Sequence, residues 1–445
     1  MEKKYLYLET YGCQMNEYDS SRIRNALGME LTDDPKKADV VIVNTCAIRE
    51  KADQKALSSL GRFKYLKLRK PDTIIGVGGC MAQLYGERLL DHMPHLDIVF
   101  GTRNISMLPD LILQIQMEKK RRVETSFDVE EIFDVEPYHE AGKVTAFVSV
   151  QQGCNKTCAY CIVPHVRGRE VNRPVSDILR EVANLVKKGI KEVTLIGQTV
   201  NSWKSDRYRF GDLLRIVSDI EELLRIRFTT SYPRDVTKKL IDAIRDIPKV
   251  CRHIHLPVQS GSNRVLKMMG RTYTREWYMD TISRLRDVIP DIAITTDIII
   301  GFPGESEEDF NDTMKLLRDV EFDGTFSFKF SSRPGTPAAE FIDTVPDEVA
   351  SRRLFELQEL QREISMKKNL SRVGQIEEVL VEGESKNSTN WVSGRTTHNR
   401  VVNFPGTEGL KGKLVNVEIT EGFQNSLRGR LIENLNDGGE LCFLK

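Results

Sequence analysis

The sequence has no net charge to spend on a polyanion, because its 65 lysines and arginines are balanced by 65 aspartates and glutamates. A general electrostatic pull on nucleic acid is therefore absent, and any RNA contact must come from local basic patches. No apolar run approaches the roughly 18 residues that suggest a membrane span. No arginine-rich presequence is visible either: after Met1 the chain opens with the strand-like Tyr5-Leu6-Tyr7-Leu8. The expectation is a cytoplasmic protein without membrane attachment. What is present is a hydrophobic fraction of 40%, enough to fill real cores, in a chain of 445 residues. At roughly 100–200 residues per domain, that length predicts two or three domains.

Three kinds of pattern follow one another. Over the first ~115 residues, apolar runs at Tyr5–Glu9, Val40–Asn44, Thr73–Val77 and Asp97–Phe100 alternate with amphipathic stretches, which predicts a small parallel α/β domain over 1–117. Residues 118–143 differ, with Lys119, Lys120, Arg121 and Arg122 followed by the acidic stretch Asp128–Glu136, and read as an exposed linker. From 144 to 372 the alternation lengthens, with strands near Thr145–Val150, Glu192–Ile196, Ile226–Thr229, His253–Pro257, Ile292–Ile300 and Thr325–Phe330. Six βα units predict a partial, TIM-like (β/α)6 barrel rather than the full eight. Ser176 reads as the N-cap of the first barrel helix and Gly189 as its stop. Pro346 to about Arg372 reads as one long helix, with Val349, Leu354, Leu357, Leu360 and Ile364 at helical spacing. Residues 373–445 carry short alternating runs punctuated by glycines at 383, 394, 406, 409, 412, 422 and 429, which predicts a small antiparallel, OB-like β-barrel.

Eight cysteines are distributed over this frame, and in a chain read as cytosolic they serve metal or redox chemistry more often than disulfides. Cys154, Cys158 and Cys161 form a CxxxCxxC loop directly after the first barrel strand. Three thiolates on one short loop can hold three irons of a 4Fe-4S cluster and leave the fourth open to a bidentate ligand. Zinc, the competing reading, usually takes four protein ligands. Cys13, Cys46 and Cys80 form a second set, each just after an apolar strand and separated by 33 and 34 residues. Carboxyl ends of parallel strands share one sheet edge, where ligands gather, so these three can hold a second cluster with an open iron. Their bland reading is as buried small hydrophobes. His253 and His255 alternate on a barrel strand as lining residues, and Cys251 and Cys442 have no partner in the pattern.

CxxxCxxC with Tyr160 before its last cysteine resembles the radical S-adenosylmethionine superfamily. The two triads and the order of domains resemble its methylthiotransferase branch, whose tail is an RNA-binding β-barrel called the TRAM domain. Gly12-Cys13-Gln14-Met15-Asn16 and Ser332-Arg333-Pro334-Gly335-Thr336-Pro337 are most similar to the members that act on tRNA isopentenyladenosine. The resemblance implies two 4Fe-4S clusters and two molecules of S-adenosylmethionine per turnover, one methylating a cluster-held sulfur and one yielding a 5′-deoxyadenosyl radical that activates carbon 2 of the adenine. It implies the tRNA anticodon arm as partner, an external electron donor, and iron–sulfur assembly or sulfur-supply proteins; a monomer is expected. The alternatives are methylthiolation of threonylcarbamoyladenosine in tRNA or of a ribosomal-protein aspartate, and, in another class, a non-catalytic iron–sulfur protein that binds RNA.

S-adenosylmethionine needs backbone and polar contacts at the carboxyl ends of the barrel strands. By matching family motifs in place, the candidates are Gly197 and Gln198, Gln259, Ser260 and Gly261, and Gly301, Phe302, Pro303, Gly304 and Glu305. Gln198 departs from the glutamate more usual among distant relatives. Arg167, Arg169 and Arg173 follow the cysteine loop and are candidates for phosphates, as is Arg333. In the tail, Trp391, His398, Arg400, Phe404, Phe423, Arg428 and Arg430 mix aromatic and basic groups as RNA-stacking surfaces do.

Overall fold

The computed structural model describes residues 3–47, 50–128, 132–385 and 389–432; Cys442 lies outside them. The first unit is a wholly parallel sheet ordered β2-β1-β3-β4-β5-β6, comprising β1 (Tyr5–Thr10), β2 (Glu30–Leu31), β3 (Val40–Thr45), β4 (Ile74–Gly79), β5 (Ile98–Phe100) and β6 (Arg122–Glu124). Helices α1 (Gln14–Leu27), α2 (Glu50–Arg69), α3 (Cys80–Tyr85), α4 (Glu87–His92) and α5 (Leu108–Glu118) cover both faces. The run Val40-Val41-Ile42-Val43 is apolar without alternation because its strand is buried on both sides. Val41 and Val43 pack with Leu60 and Phe63 of α2, whereas Val40 and Ile42 pack with Ile23 of α1 and Ile112 and Ile115 of α5.

The stretch after α5 is less of a linker than its composition suggests. Arg122–Glu124 adds β6 to the sheet edge, and Ile132 is buried. The fully buried Arg22 donates to the carbonyls of Ile132 (2.6 Å) and Val135 (3.1 Å). A charged run thus follows a paired segment, because a buried guanidinium on α1 collects the backbone acceptors that a free linker would leave to water.

The second unit contains six parallel strands, β7 (Thr145–Ser149), β10 (Glu192–Ile196), β13 (Arg225–Phe228), β14 (His253–His255), β15 (Ala293–Ile300) and β16 (Gly324–Lys329). The halves β7-β10-β13 and β14-β15-β16 meet through a bridge between Ile226 and Val250 and a hydrogen bond from Ser231 N to His255 O (3.1 Å). Among the described residues β7 and β16 do not pair, so the barrel stays open there. The short antiparallel pair β8 (Gln151–Gln152) and β9 (Val171–Asn172) closes the base of the cysteine loop, and β11 (Lys204–Ser205) with β12 (Tyr208–Arg209) forms a small hairpin. Helices α6 (Val163–Arg167), α7 (Val175–Lys187), α8 (Phe210–Ser218), α9 (Lys238–Asp246), α10 (Asn263–Met268), α11 (Arg275–Val288) and α12 (Glu307–Val320) follow the strands. Ser176 is not the N-cap of α7: the helix has already begun at Val175, behind Pro174, whose fixed φ suits the approach to a helix.

Helix α13 (Asp347–Leu370) buries Leu357 in the barrel core and carries Asn369 to the carbonyls of Phe423 and Gln424 in the last unit. That unit is a closed five-stranded barrel ordered β17-β18-β19-β21-β20, made of β17 (Ile376–Glu384), β18 (Trp391–Thr396), β19 (Val401–Pro405), β20 (Leu414–Gly422) and β21 (Leu427–Leu431). It is seated on the amino ends of the large barrel's strands. Arg225 donates to Glu378 O (2.8 Å), Arg227 to Thr396 O (2.7 Å), and Arg252 N to Thr397 Oγ1 (3.0 Å). The opposite, carboxyl ends are thereby left to the first unit, where Met15 and Tyr18 of α1 pack with Phe147 and Ile196.

Candidate functional site

Cys13, Cys46 and Cys80 stand just past β1, β3 and β4, which are adjacent in the sheet. Strand order reverses between β1 and β3, the place where open parallel sheets gather ligands. Gly12 makes the convergence possible. Its φ is +141°, and a Cβ there would come within 2.8 Å of the Cys46 Cβ. Asn16 then locks the loop: its Oδ1 accepts from Cys13 N (3.3 Å) while its Nδ2 donates to Thr45 O (2.9 Å), next to Cys46. Burial pushes the Cys80 thiol up to about 12, with Cys46 and Cys13 adding to the effect and Arg167 opposing it.

The second triad is held as firmly. Gly153, at φ +80°, turns the chain so closely past the Gly168 and Arg169 carbonyls that a side chain would not fit. Cys154 N bonds Gly168 O (3.2 Å), and Ala159 N bonds Met269 O (2.9 Å). Burial, reinforced by neighbouring Cys158, raises the thiols of Cys154 and Cys161, the latter to about 12. Cys80, Cys154 and Cys161 are thus protonated without metal at neutral pH, and binding iron displaces those protons. Among the described residues, no three Cys, His, Asp or Glu side chains draw close enough to share one metal ion.

The first triad packs against the unit that carries the second. Cys80 and Ala47 pack against Ile162 and Val166, which follow Cys161 in the chain, while Cys13 packs with Phe147 of β7 and Ile196 of β10. Phe302, fully buried, packs with Met269 against Ala159 and Tyr160 of the Cys154–Cys161 loop. Gln198 accepts from Gly153 N (2.6 Å), beside Gly197. Gln259 adopts φ +77° and is buried. Other candidate residues make hydrogen bonds within the chain. The Thr313 hydroxyl on α12 accepts from Gly261 N and lies 3.4 Å from the Ser260 hydroxyl. Gly304 N bonds the backbone of Asp343, Pro303 is buried, and Glu305 accepts from Gly301 N (3.1 Å) and pairs with Arg353 (2.9 Å).

The phosphate candidates need correction. Arg167, Arg173 and Arg333 are buried in ion pairs with Asp19 (2.8 Å), Glu181 and Asp53 (2.8 Å), and so do not present free charge to an RNA backbone. Arg169 is exposed. In the small barrel, Phe404 is core, His398 sits buried between Asp291 and Glu377, Arg400 pairs with Asp323 (2.6 Å), and Arg430 pairs with Glu418. Arg428 remains at the surface, its guanidinium 5.0 Å from the Phe423 ring centroid and 5.6 Å from that of Trp391. Sequence reasoning missed Arg271, which donates to Cys158 Sγ (3.4 Å) and Pro257 O (2.8 Å); no spacing rule marks a residue 113 positions from its cysteine.

An open parallel barrel with a three-cysteine loop after its first strand defines the radical S-adenosylmethionine class. The model of that superfamily matches residues 148–317, that of an uncharacterized protein family, UPF0004, matches 5–101, and that of the TRAM domain matches 370–432. The fold is similar to the radical S-adenosylmethionine methyltransferase TsrM of Kitasatospora setae, with a TM-score of 0.56, 15% identity, and coverage of 76% of this chain and 74% of that one. It is also similar to the cobalamin-dependent radical enzyme OxsB, with a TM-score of 0.50, 13% identity, and coverage of 81% and 56%. Proteins named tRNA-2-methylthio-N(6)-dimethylallyladenosine synthase from Cronobacter sakazakii and Escherichia coli are each 48% identical over 98% of this chain and 94% of their own length. The chain belongs to the tRNA-2-methylthio-N(6)-dimethylallyladenosine synthase family.

Proposed function

We propose that this protein adds a methylthio group to carbon 2 of N6-isopentenyladenosine beside the anticodon of tRNA, with Cys154, Cys158 and Cys161 holding a radical 4Fe-4S cluster and Cys13, Cys46 and Cys80 an auxiliary one. The observation that carries this reading is the packing of one triad's loop, through Ile162 and Val166, directly on a cysteine of the other. When bound, the radical cluster would supply the electron that cleaves S-adenosylmethionine, and the auxiliary cluster the sulfur. The chain's own residues do the rest. Arg271 sets a cation beside Cys158 and is itself stacked on Tyr232 (4.5 Å) and Tyr273 (5.0 Å). Phe302 and Tyr160 keep an apolar wall there that excludes water from a reactive radical.

RNA would be met by Arg428 with Trp391 and Phe423, where a base can stack beside a cation. The reaction also needs an external electron donor and a sulfur supply. Mass spectrometry of tRNA nucleosides from cells lacking the gene tests the assignment. The expected result is loss of the 2-methylthio nucleoside with accumulation of N6-isopentenyladenosine; persistence of the 2-methylthio form would overturn it.

A further inference from the structure

Arg167 is the last residue of α6, six positions after Cys161, yet its guanidinium lies on the other triad's side. The residue is 2% exposed, and its Nη2 donates to Asp19 Oδ2 of α1 (2.8 Å), a carboxylate equally buried. Among the described residues, its Nη1 is buried with no acceptor. Val166, its neighbour, packs on Cys80. The charge of Arg167 is felt by Cys80 and Cys13 as well as by Asp19. A buried charged donor left unsatisfied costs several times what an ordinary hydrogen bond contributes, so an orphan arm that feels Cys80 and Cys13 points to an acceptor that arrives with the metal.

We propose that Arg167 is a positioning residue for the auxiliary cluster: its free Nη1 donates to a sulfur of the cluster held by Cys13, Cys46 and Cys80, and its charge raises that cluster's reduction potential. This rests on the two-cluster reading above. A hydrogen bond to a cluster sulfur and a nearby cation both favour the reduced, more negative state. Asp19, paired to the same guanidinium, acts with the opposite sign, and Arg22 (3.9 Å from Asp19) faces the carboxylate from within α1. Placed at the end of the radical loop, Arg167 makes the auxiliary potential depend on how that loop is seated.

Two substitutions separate this from a merely structural ion pair. In full-length protein carrying Cys154→Ala, Cys158→Ala and Cys161→Ala, only the auxiliary cluster remains, and its midpoint potential is read by EPR during a redox titration. Arg167→Gln is expected to lower the potential and Asp19→Asn to raise it, although both break the same ion pair. Shifts in the same direction, or none in either variant, would overturn the proposal. Should Arg167→Gln fail to take up iron, Asp19→Asn decides alone: a raised potential supports the proposal and an unchanged or lowered one overturns it. Absence of any cluster in the triple-alanine parent, with folding intact, would instead sink the two-cluster reading and this inference with it.

Discussion

The Nη1 of Arg271 lies 3.4 Å from the sulfur of Cys158 and 3.5 Å from the hydroxyl of Tyr160, so one buried cation touches two residues of the radical loop. A charged hydrogen bond of this kind contributes about 1.5–3 kcal/mol. Arg271→Met is therefore expected to slow reductive cleavage of S-adenosylmethionine by about ten- to a hundredfold. Quantifying 5′-deoxyadenosine in single-turnover mixtures checks this, and Arg271→Lys should recover part of the loss.

The two triads should fail in different ways. Cys154→Ala is expected to abolish 5′-deoxyadenosine formation altogether. Cys46→Ala should still cleave S-adenosylmethionine but give no methylthiolated RNA, and each variant should retain half of the iron and acid-labile sulfide of the parent. Equal loss of both activities in both variants, with folding intact, would contradict the division of labour.

Glu305 and Arg353 form a buried pair that ties the Gly301–Glu305 turn to α13. Removing one partner strands the other, at a cost of about 3–5 kcal/mol. Arg353→Met should lower the thermal midpoint accordingly. Burial already raises the Glu305 carboxyl, with Arg353 opposing, so the variant will raise it further. A raised carboxyl stabilises the fold at low pH and loses that contribution as pH rises through the folded value. The deficit of Arg353→Met should therefore be smaller at pH 5 than at pH 8 in denaturation curves.

His253 is buried on β14, and burial, with Arg227 nearby, holds its imidazole down to about 3. In the unfolded chain it takes up a proton near pH 6.5. Stability is consequently complete above that value and drains away as pH falls toward 3. His253→Gln, which can still meet the Thr295 hydroxyl that His253 contacts at 3.1 Å, should flatten the acid limb of a stability-versus-pH profile.

Arg428→Ala should weaken binding of an anticodon stem-loop and lower the slope of log affinity against log salt by about one. It should leave RNA-independent cleavage of S-adenosylmethionine unchanged, since Arg428 is in the small barrel, which is seated at the opposite end of the large one from the cysteine loop.

The sequence by itself determined the frame and singled out six cysteines as candidate metal ligands. Apolar runs such as Val40–Val43 and the intervals of 33 and 34 between Cys13, Cys46 and Cys80 report strand ends, because strand burial and βα length are written within a few dozen residues. The sixth strand at Arg122–Glu124 escaped, since its charges look like solvent and its pairing is supplied by β5. The fate of each arginine was decided only by tertiary structure. Arg167 meets Asp19 from 148 residues away and Arg333 meets Asp53 from 280. Whether a guanidinium faces phosphate or a buried carboxylate depends on desolvation and on the few ångströms over which charges act strongly, and neither quantity is encoded in neighbouring letters.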